Sequence, residues 1–136
     1  MERLWHTEMQ TTNKMYKINQ VELPEIIAQE IPEVKSEIGK LSSKENIAAT
    51  LQIVVTYTLE MLTRHQVAKV NYCMALMGWI YNLGNESIRD LIENLFVRSF
   101  NGMRSLCRPN EWDQIQSRIP VKLYNVYMVQ NSFYNK

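Results

Sequence analysis

Residues 66–83, QVAKVNYCMALMGWIYNL, decide how this chain folds. Val67, Val70, Cys73, Met74, Leu76, Met77, Trp79, Ile80 and Leu83 spread right round a helix that turns by about 100° per residue, so no face is left for water. Such a helix is central to a domain. The apolar stretch from Tyr72 to Tyr81 reaches about half of the roughly 20 residues needed to span a bilayer, which predicts burial in protein without membrane insertion. The flanking sequence must then supply helices with one apolar face each.

Upstream, Ile47, Leu51, Val54, Val55, Thr58, Met61 and Leu62 fall within about 100° of one another on a helix. Ser42 and Glu45 have the spacing of a capping box and predict that this third helix starts beside them. Arg64 and His65 close it, where cations suit the helix dipole. Ile53 and Tyr57 lie off the stripe and require a second neighbour. Earlier still, Pro24 suits the first turn of a helix striped by Leu23, Ile26, Ile27 and Ile31. Pro32 interrupts that stripe and opens a second short helix carrying Val34, Ile38 and Leu41. Glu22, Glu25, Glu30, Glu33 and Glu37 make this hairpin acidic. Residues 1–20 show no period and are predicted to form a flexible arm, leaving residues 21–136 as one helical domain.

Downstream, Gly84 has the place of a C′ residue in the left-handed conformation, and Asn85 or Ser87 can cap the next helix. That fifth helix sets Ile88, Leu91, Ile92, Leu95, Phe96 and Ser99 on one face and is expected to close at Asn101-Gly102. Pro109-Asn110 followed by Glu111, Trp112 and Asp113 opens a short sixth helix ending near Ile119. Pro120 starts a seventh, with Leu123, Tyr124, Tyr127 and Met128 on an apolar face. The fold class is all-α: a single domain of six to seven helices, either an irregular bundle or a short stack of helix hairpins.

With 46% hydrophobic and 21% charged residues the chain has the composition of a globular fold. Fifteen basic residues against fourteen acidic ones leave a net charge of +1, which argues against nucleic acid and anionic membranes as partners. Two cysteines make no disulfide framework and no apolar run of signal-peptide length opens the chain, so a cytoplasmic location is expected. The four glycines are dispersed and form no phosphate loop. Only His6 and His65 carry imidazole, too few for a zinc site or a triad from local spacing. Cys73, on the all-apolar helix, reads as an inert core thiol. Cys107 lies near Arg104 and Arg108, which would favour a thiolate, but has no histidine partner at hand. Glu86, Asp90 and Glu93 resemble an acidic cluster, yet the first turns of a helix favour negative charge without any metal. No catalytic residue, metal or cofactor is therefore predicted, and the chain reads as no enzyme.

The remaining candidates are for binding. Arg98, Arg104 and Arg108 form a basic stretch, and Trp112, Tyr124, Tyr127, Phe133 and Tyr134 crowd the last quarter of the chain. Aromatic residues of this kind anchor interfaces, although core packing also claims them. Few aromatics are interleaved with the arginines, unlike a nucleic-acid stacking platform. Glu93 and Asn94 point off the apolar stripe of helix five, where they either bond the next loop or form a polar site.

Trp79-Ile80-Tyr81-Asn82-Leu83-Gly84-Asn85-Glu86-Ser87-Ile88, the following Leu91-Ile92-Glu93-Asn94-Leu95-Phe96-Val97, and Ile119-Pro120-Val121-Lys122-Leu123-Tyr124 resemble segments of a family of small all-helical bacterial proteins of Bacteroidetes type. The resemblance spans about residues 60–130 and implies an immunity-like or accessory role beside a toxin, with no catalytic residues to transfer. The expected function is a non-enzymatic protein-binding module, an immunity or regulatory protein of a bacterial toxin system. The alternative is a small-ligand-binding protein or enzyme with a pocket between helices four, five and the C-terminal segment.

Overall fold

The computed structural model describes residues 17–43 and 46–134, without the side chains of Phe133 and Tyr134. Its elements are α1 (Glu22–Glu30), a 3₁₀ turn (Pro32–Val34), α2 (Lys35–Gly39), α3 (Ile47–Thr63) and α4 (Val67–Leu83). A continuous rod follows, built from α5 (Glu86–Leu91), a π turn (Ile92–Phe96), a 3₁₀ turn (Val97–Ser99) and α6 (Phe100–Ser105). Then come α7 (Glu111–Gln116) and α8 (Val121–Tyr134). With the rod counted once these are seven helices, and among the described residues the only β pairing is an isolated bridge between Ile18 and Gly84.

The helix at residues 67–83 is central, as its composition demands: Val70, Cys73, Met74, Leu76, Met77 and Ile80 are wholly buried. The stripe of α3 packs on it, with all seven residues from Ile47 to Leu62 buried. Tyr57, off that stripe, finds its second neighbour in the acidic hairpin, where its hydroxyl donates to Glu33 at 2.8 Å. That bond is the main reason the Glu33 carboxyl lies below its ordinary range, with Lys69 at 3.2 Å adding to it. The Tyr72 hydroxyl likewise holds Glu30. The hairpin's carboxylates are therefore partly spent on fastening α1 and the turn after it to α3 and α4.

Several boundaries differ from expectation for local reasons. Asn46, not Ser42, caps α3: its side chain accepts the Ala49 N–H at 3.0 Å, and Glu45 lies outside the described residues. His65 does more than cap by charge. It takes φ 58°, and the Gln66 and His65 amides bond the carbonyls of Met61 and Leu62, both at 2.9 Å. This is a Schellman turn with histidine where glycine is usual. Gly84, by contrast, is extended, at φ −73° and ψ 154°. Its hydrogen is required by close approach, since a Cβ there would meet the Ile80 carbonyl oxygen and Ile88 Cγ2, each at 2.8 Å. Ile18 lies alongside, wholly buried and bonded to Leu83 O and Asn85 N, so the core begins before Val21. Residues 1–16 of the expected arm lie outside the described residues.

Asn101-Gly102 does not end helix five but sits within α6. The rod buries Ile88, Ile92, Phe96 and Phe100, and a uniform four-residue spacing drifts about 40° per step on an ideal α-helix. The wide π turn, which rotates less per residue than an α-helix, works against that drift, and these side chains stay on the core.

Candidate functional site

The π turn is also where the surface opens. In an uninterrupted α-helix the Val97 N–H would bond the Glu93 carbonyl, but here it reaches back to Ile92. Gln130 of α8 covers the Glu93 carbonyl instead, its Nε2 donating at 3.0 Å. The bulge turns the Glu93 side chain toward α4, where the carboxylate accepts the Tyr81 hydroxyl at 2.6 Å, while the Arg89 guanidinium lies 5.0 Å from the centre of the Tyr81 ring. Burial, and then the hydrogen bond to Glu93, push the Tyr81 hydroxyl above its ordinary value.

Between the bulge and α8 runs a groove of about 500 Å³ lined by Glu93, Asn94, Arg98, Asn125, Val126, Val129 and Gln130. It continues into a smaller depression of about 270 Å³ that shares Arg98 and Gln130 and adds Val97, Asn101, Tyr127 and Asn131. Tyr127 donates to Asn101 at 2.7 Å and Asn101 to Asn131 at 3.1 Å, which fastens α6 to α8 along its floor. Glu93, Asn94 and Arg98 are thus brought together, whereas His65 and Tyr124 lie elsewhere.

The aromatic candidates divide. Trp112 and Tyr127 are 5% and 4% exposed and form the core with Phe96 and Phe100, the ring centres of Phe100 and Tyr127 lying 5.3 Å apart. Both are corrected from interface to core. Tyr124 is half-buried against Tyr127 at 6.4 Å. The side chains of Phe133 and Tyr134 lie outside the described residues, although their backbone extends α8. Of the arginines, Arg98 lines the groove, while Arg104 and Arg108 are exposed at and beyond the end of α6.

What sequence reasoning missed is the outer face of α8. Val121, Met128 and Val129 are 74%, 48% and 59% exposed, while Leu123 on the opposite face is fully buried. Val121 and Met128, seven residues apart, share a face with the polar Asn125 and Ser132, so the solvent side of α8 sets three large apolar side chains among polar ones. The sequence pattern sets Met128 on the packed face with Leu123, Tyr124 and Tyr127; it is corrected to the solvent side, about 100° round the helix from Tyr127.

Other clusters are explained by structure. His65 Nδ1 lies 2.9 Å from both carboxylate oxygens of Glu111, which also accepts the Arg108 N–H at 2.8 Å. The amide of Arg108, and then His65, hold the Glu111 carboxyl below its ordinary range. Cys107 donates to the Met103 carbonyl, and burial followed by the Glu111 charge pushes its thiol up, opposite to activation by the neighbouring arginines. Burial pushes the Cys73 thiol up to about 11. A larger groove, about 620 Å³ between the acidic hairpin and α3, has charged lining residues that include the pairs Glu33 with Lys69 and Glu60 with Arg64. Among the described residues no three His, Cys, Asp or Glu side chains converge as metal ligands, and no helix is long and apolar enough to cross a membrane.

A sequence model of one family, described as a domain of unknown function (DUF7674), matches residues 24–135. The chain belongs to this family. No curated protein and no solved structure matches it. The DUF7674 match runs from α1 through α8 and contains both walls of the groove, so the bulge and the helix facing it are parts of the family's own domain.

Proposed function

We propose that this DUF7674 domain is a non-enzymatic protein-binding module that presents the outer face of α8, with the groove beside it, to a protein partner. The observation that carries this reading is the apolar exposure on α8: Val121, Met128 and Val129 stand 48–74% exposed on a helix whose inner face is already packed. A surface helix ordinarily turns polar residues outward, and clustered apolar exposure marks an interaction site. Arg98, Lys122, Asn94 and Asn125 supply a polar rim around it, the anatomy of a protein interface. The biological setting we propose is the one the sequence resemblance implies: an immunity or regulatory protein of a bacterial toxin system, acting in the cytoplasm by occupying its partner. Two unpaired thiols, Cys73 and Cys107, suit a reducing compartment.

The test is affinity capture from native cells with the wild-type chain and with a Val121→Asp/Met128→Asp double variant. Both side chains point to solvent, so the variant is expected to keep its helicity and melting temperature. One stoichiometric protein should be recovered with wild type and lost with the variant. Recovery of none, or equal recovery with both, refutes the reading.

A further inference from the structure

We propose that Asn101-Gly102 is a self-modification site, where asparagine converts spontaneously to isoaspartate, and that contacts from α8 hold it shut. Of the chain's asparagines, Asn101 alone is followed by glycine. In that pairing the backbone nitrogen of the second residue has no Cβ beside it to hinder attack on the side-chain carbonyl carbon of the first. Both residues are exposed, and nothing lies within 4 Å of the place where a Gly102 Cβ would stand, so the reacting atoms and water have room. Glycine, the poorest helix former after proline, also weakens α6 at this point.

The restraint comes from α8. Asn101 Oδ1 accepts the Tyr127 hydroxyl at 2.7 Å and its Nδ2 donates to Asn131 Oδ1 at 3.1 Å, so both polar atoms of the carboxamide are turned to that helix. Ring closure requires the carboxamide to swing onto the Gly102 nitrogen, which breaks both bonds, and requires α6 to open locally. Once it is open, the Gly102 nitrogen bonds Asn101 Cγ and gives up its proton, and the Cγ–Nδ2 bond breaks to release ammonia. Water then opens the cyclic imide at either carbonyl, and no oxidant or cofactor is consumed. Opening at Cγ leaves aspartate, whose carboxylate still accepts from Tyr127. Opening at the backbone carbonyl leaves isoaspartate, which adds a carbon to the main chain within α6 and cannot keep both the helix and the two bonds to α8. The conversion is therefore a one-way release of α8 from α6. It is independent of the protein-binding reading.

The test incubates the full chain at neutral pH and follows the peptide Ser99–Arg104, freed by cleavage after Arg98 and Arg104, by chromatography and mass spectrometry. The folded chain is expected to form isoaspartate at least about tenfold more slowly than the chain unfolded in guanidinium chloride. Tyr127→Phe and Asn131→Ala, each short of one bond to Asn101, should react about fivefold faster than wild type while still folded. Tyr57→Phe, which loses a hydrogen bond far from α6, controls for general destabilisation and should keep the wild-type rate. As isoaspartate accumulates, amides of residues 121–132 should lose their protection from hydrogen exchange while those of α3 and α4 retain it. No isoaspartate from the unfolded chain overturns the site, and equal rates for folded and unfolded chain overturn the shielding. Clasp-free variants no faster than wild type, or Tyr57→Phe accelerated as much as they are, overturn the role of α8. Unchanged protection of residues 121–132 in the isoaspartyl form overturns the release.

Discussion

Gly78→Ala is expected to destabilise the chain although alanine is the better helix former. Gly78 is buried in α4 beneath Pro120, the residue that leads into α8. A Cβ at this place would lie 2.4 Å from Pro120 Cγ and 2.7 Å from Pro120 Cβ. Carbon atoms in contact rest at about 3.5–4.0 Å, so the two segments must part by roughly 1 Å, and a proline ring has no rotamer by which to step aside. Overpacking of this kind costs about 1–3 kcal/mol, and the rigidity of the ring puts this case at the upper end. The propensity gain of Gly to Ala, about 1 kcal/mol, offsets part of it. The net loss is about 2 kcal/mol, or about 8 °C in Tm for a domain of this size. Gly102→Ala is the control: nothing lies within 4 Å of its would-be Cβ, and it sits inside α6. It should gain up to about 1 kcal/mol, raising Tm by about 4 °C. Thermal unfolding followed by circular dichroism compares the two. Equal or higher Tm for Gly78→Ala would refute the contact that places the start of α8, and with it the geometry of the groove.

Other consequences follow from the fasteners described above. His65→Ala keeps the left-handed backbone and loses the bond to Glu111, whereas His65→Gly loses the bond and relieves the backbone; the glycine variant should be the more stable by about 1 kcal/mol in denaturant unfolding, and the reverse order would contradict the turn. Tyr57→Phe removes a hydrogen bond to a half-exposed carboxylate and is expected to cost about 1 kcal/mol, measured as a lower denaturation midpoint with unchanged slope. Glu33 and Glu111 both have folded-state values below the unfolded one, so the stability they contribute is present above the unfolded carboxylate range of about 4 and is lost as pH falls through their lower folded values. Acid titration of Tm should therefore fall less steeply below about pH 4 in a Tyr57→Phe variant, whose Glu33 no longer has its main reason for a low value.

The all-α class and the central place of residues 67–83 were legible because they depend on composition and period alone. The α3 stripe was legible for the same reason. The π turn left a trace in the sequence, the four-residue spacing of Ile88, Ile92, Phe96 and Phe100, which an ideal helix cannot keep on one side. Read with an ordinary helical period, that segment left the buried Val97 and Phe100 off the stripe and closed the helix at Asn101-Gly102. Glu93 and Asn94 stood out as polar residues without a local role, yet the groove they border exists only once α8 packs against the bulge. Trp112 and Tyr127 illustrate the converse: whether an aromatic ring anchors a core or a partner is decided by tertiary packing, here by Phe96 and Phe100.

The outer face of α8 is the surface on which the account stands, and photocrosslinking in native cells addresses it directly. A photoreactive amino acid at Met128, on that face, is compared with one at Glu37, exposed on the acidic hairpin. A single protein crosslinked from residue 128 and absent from residue 37 is the predicted result. No crosslink from residue 128, or the same pattern from both, would contradict it.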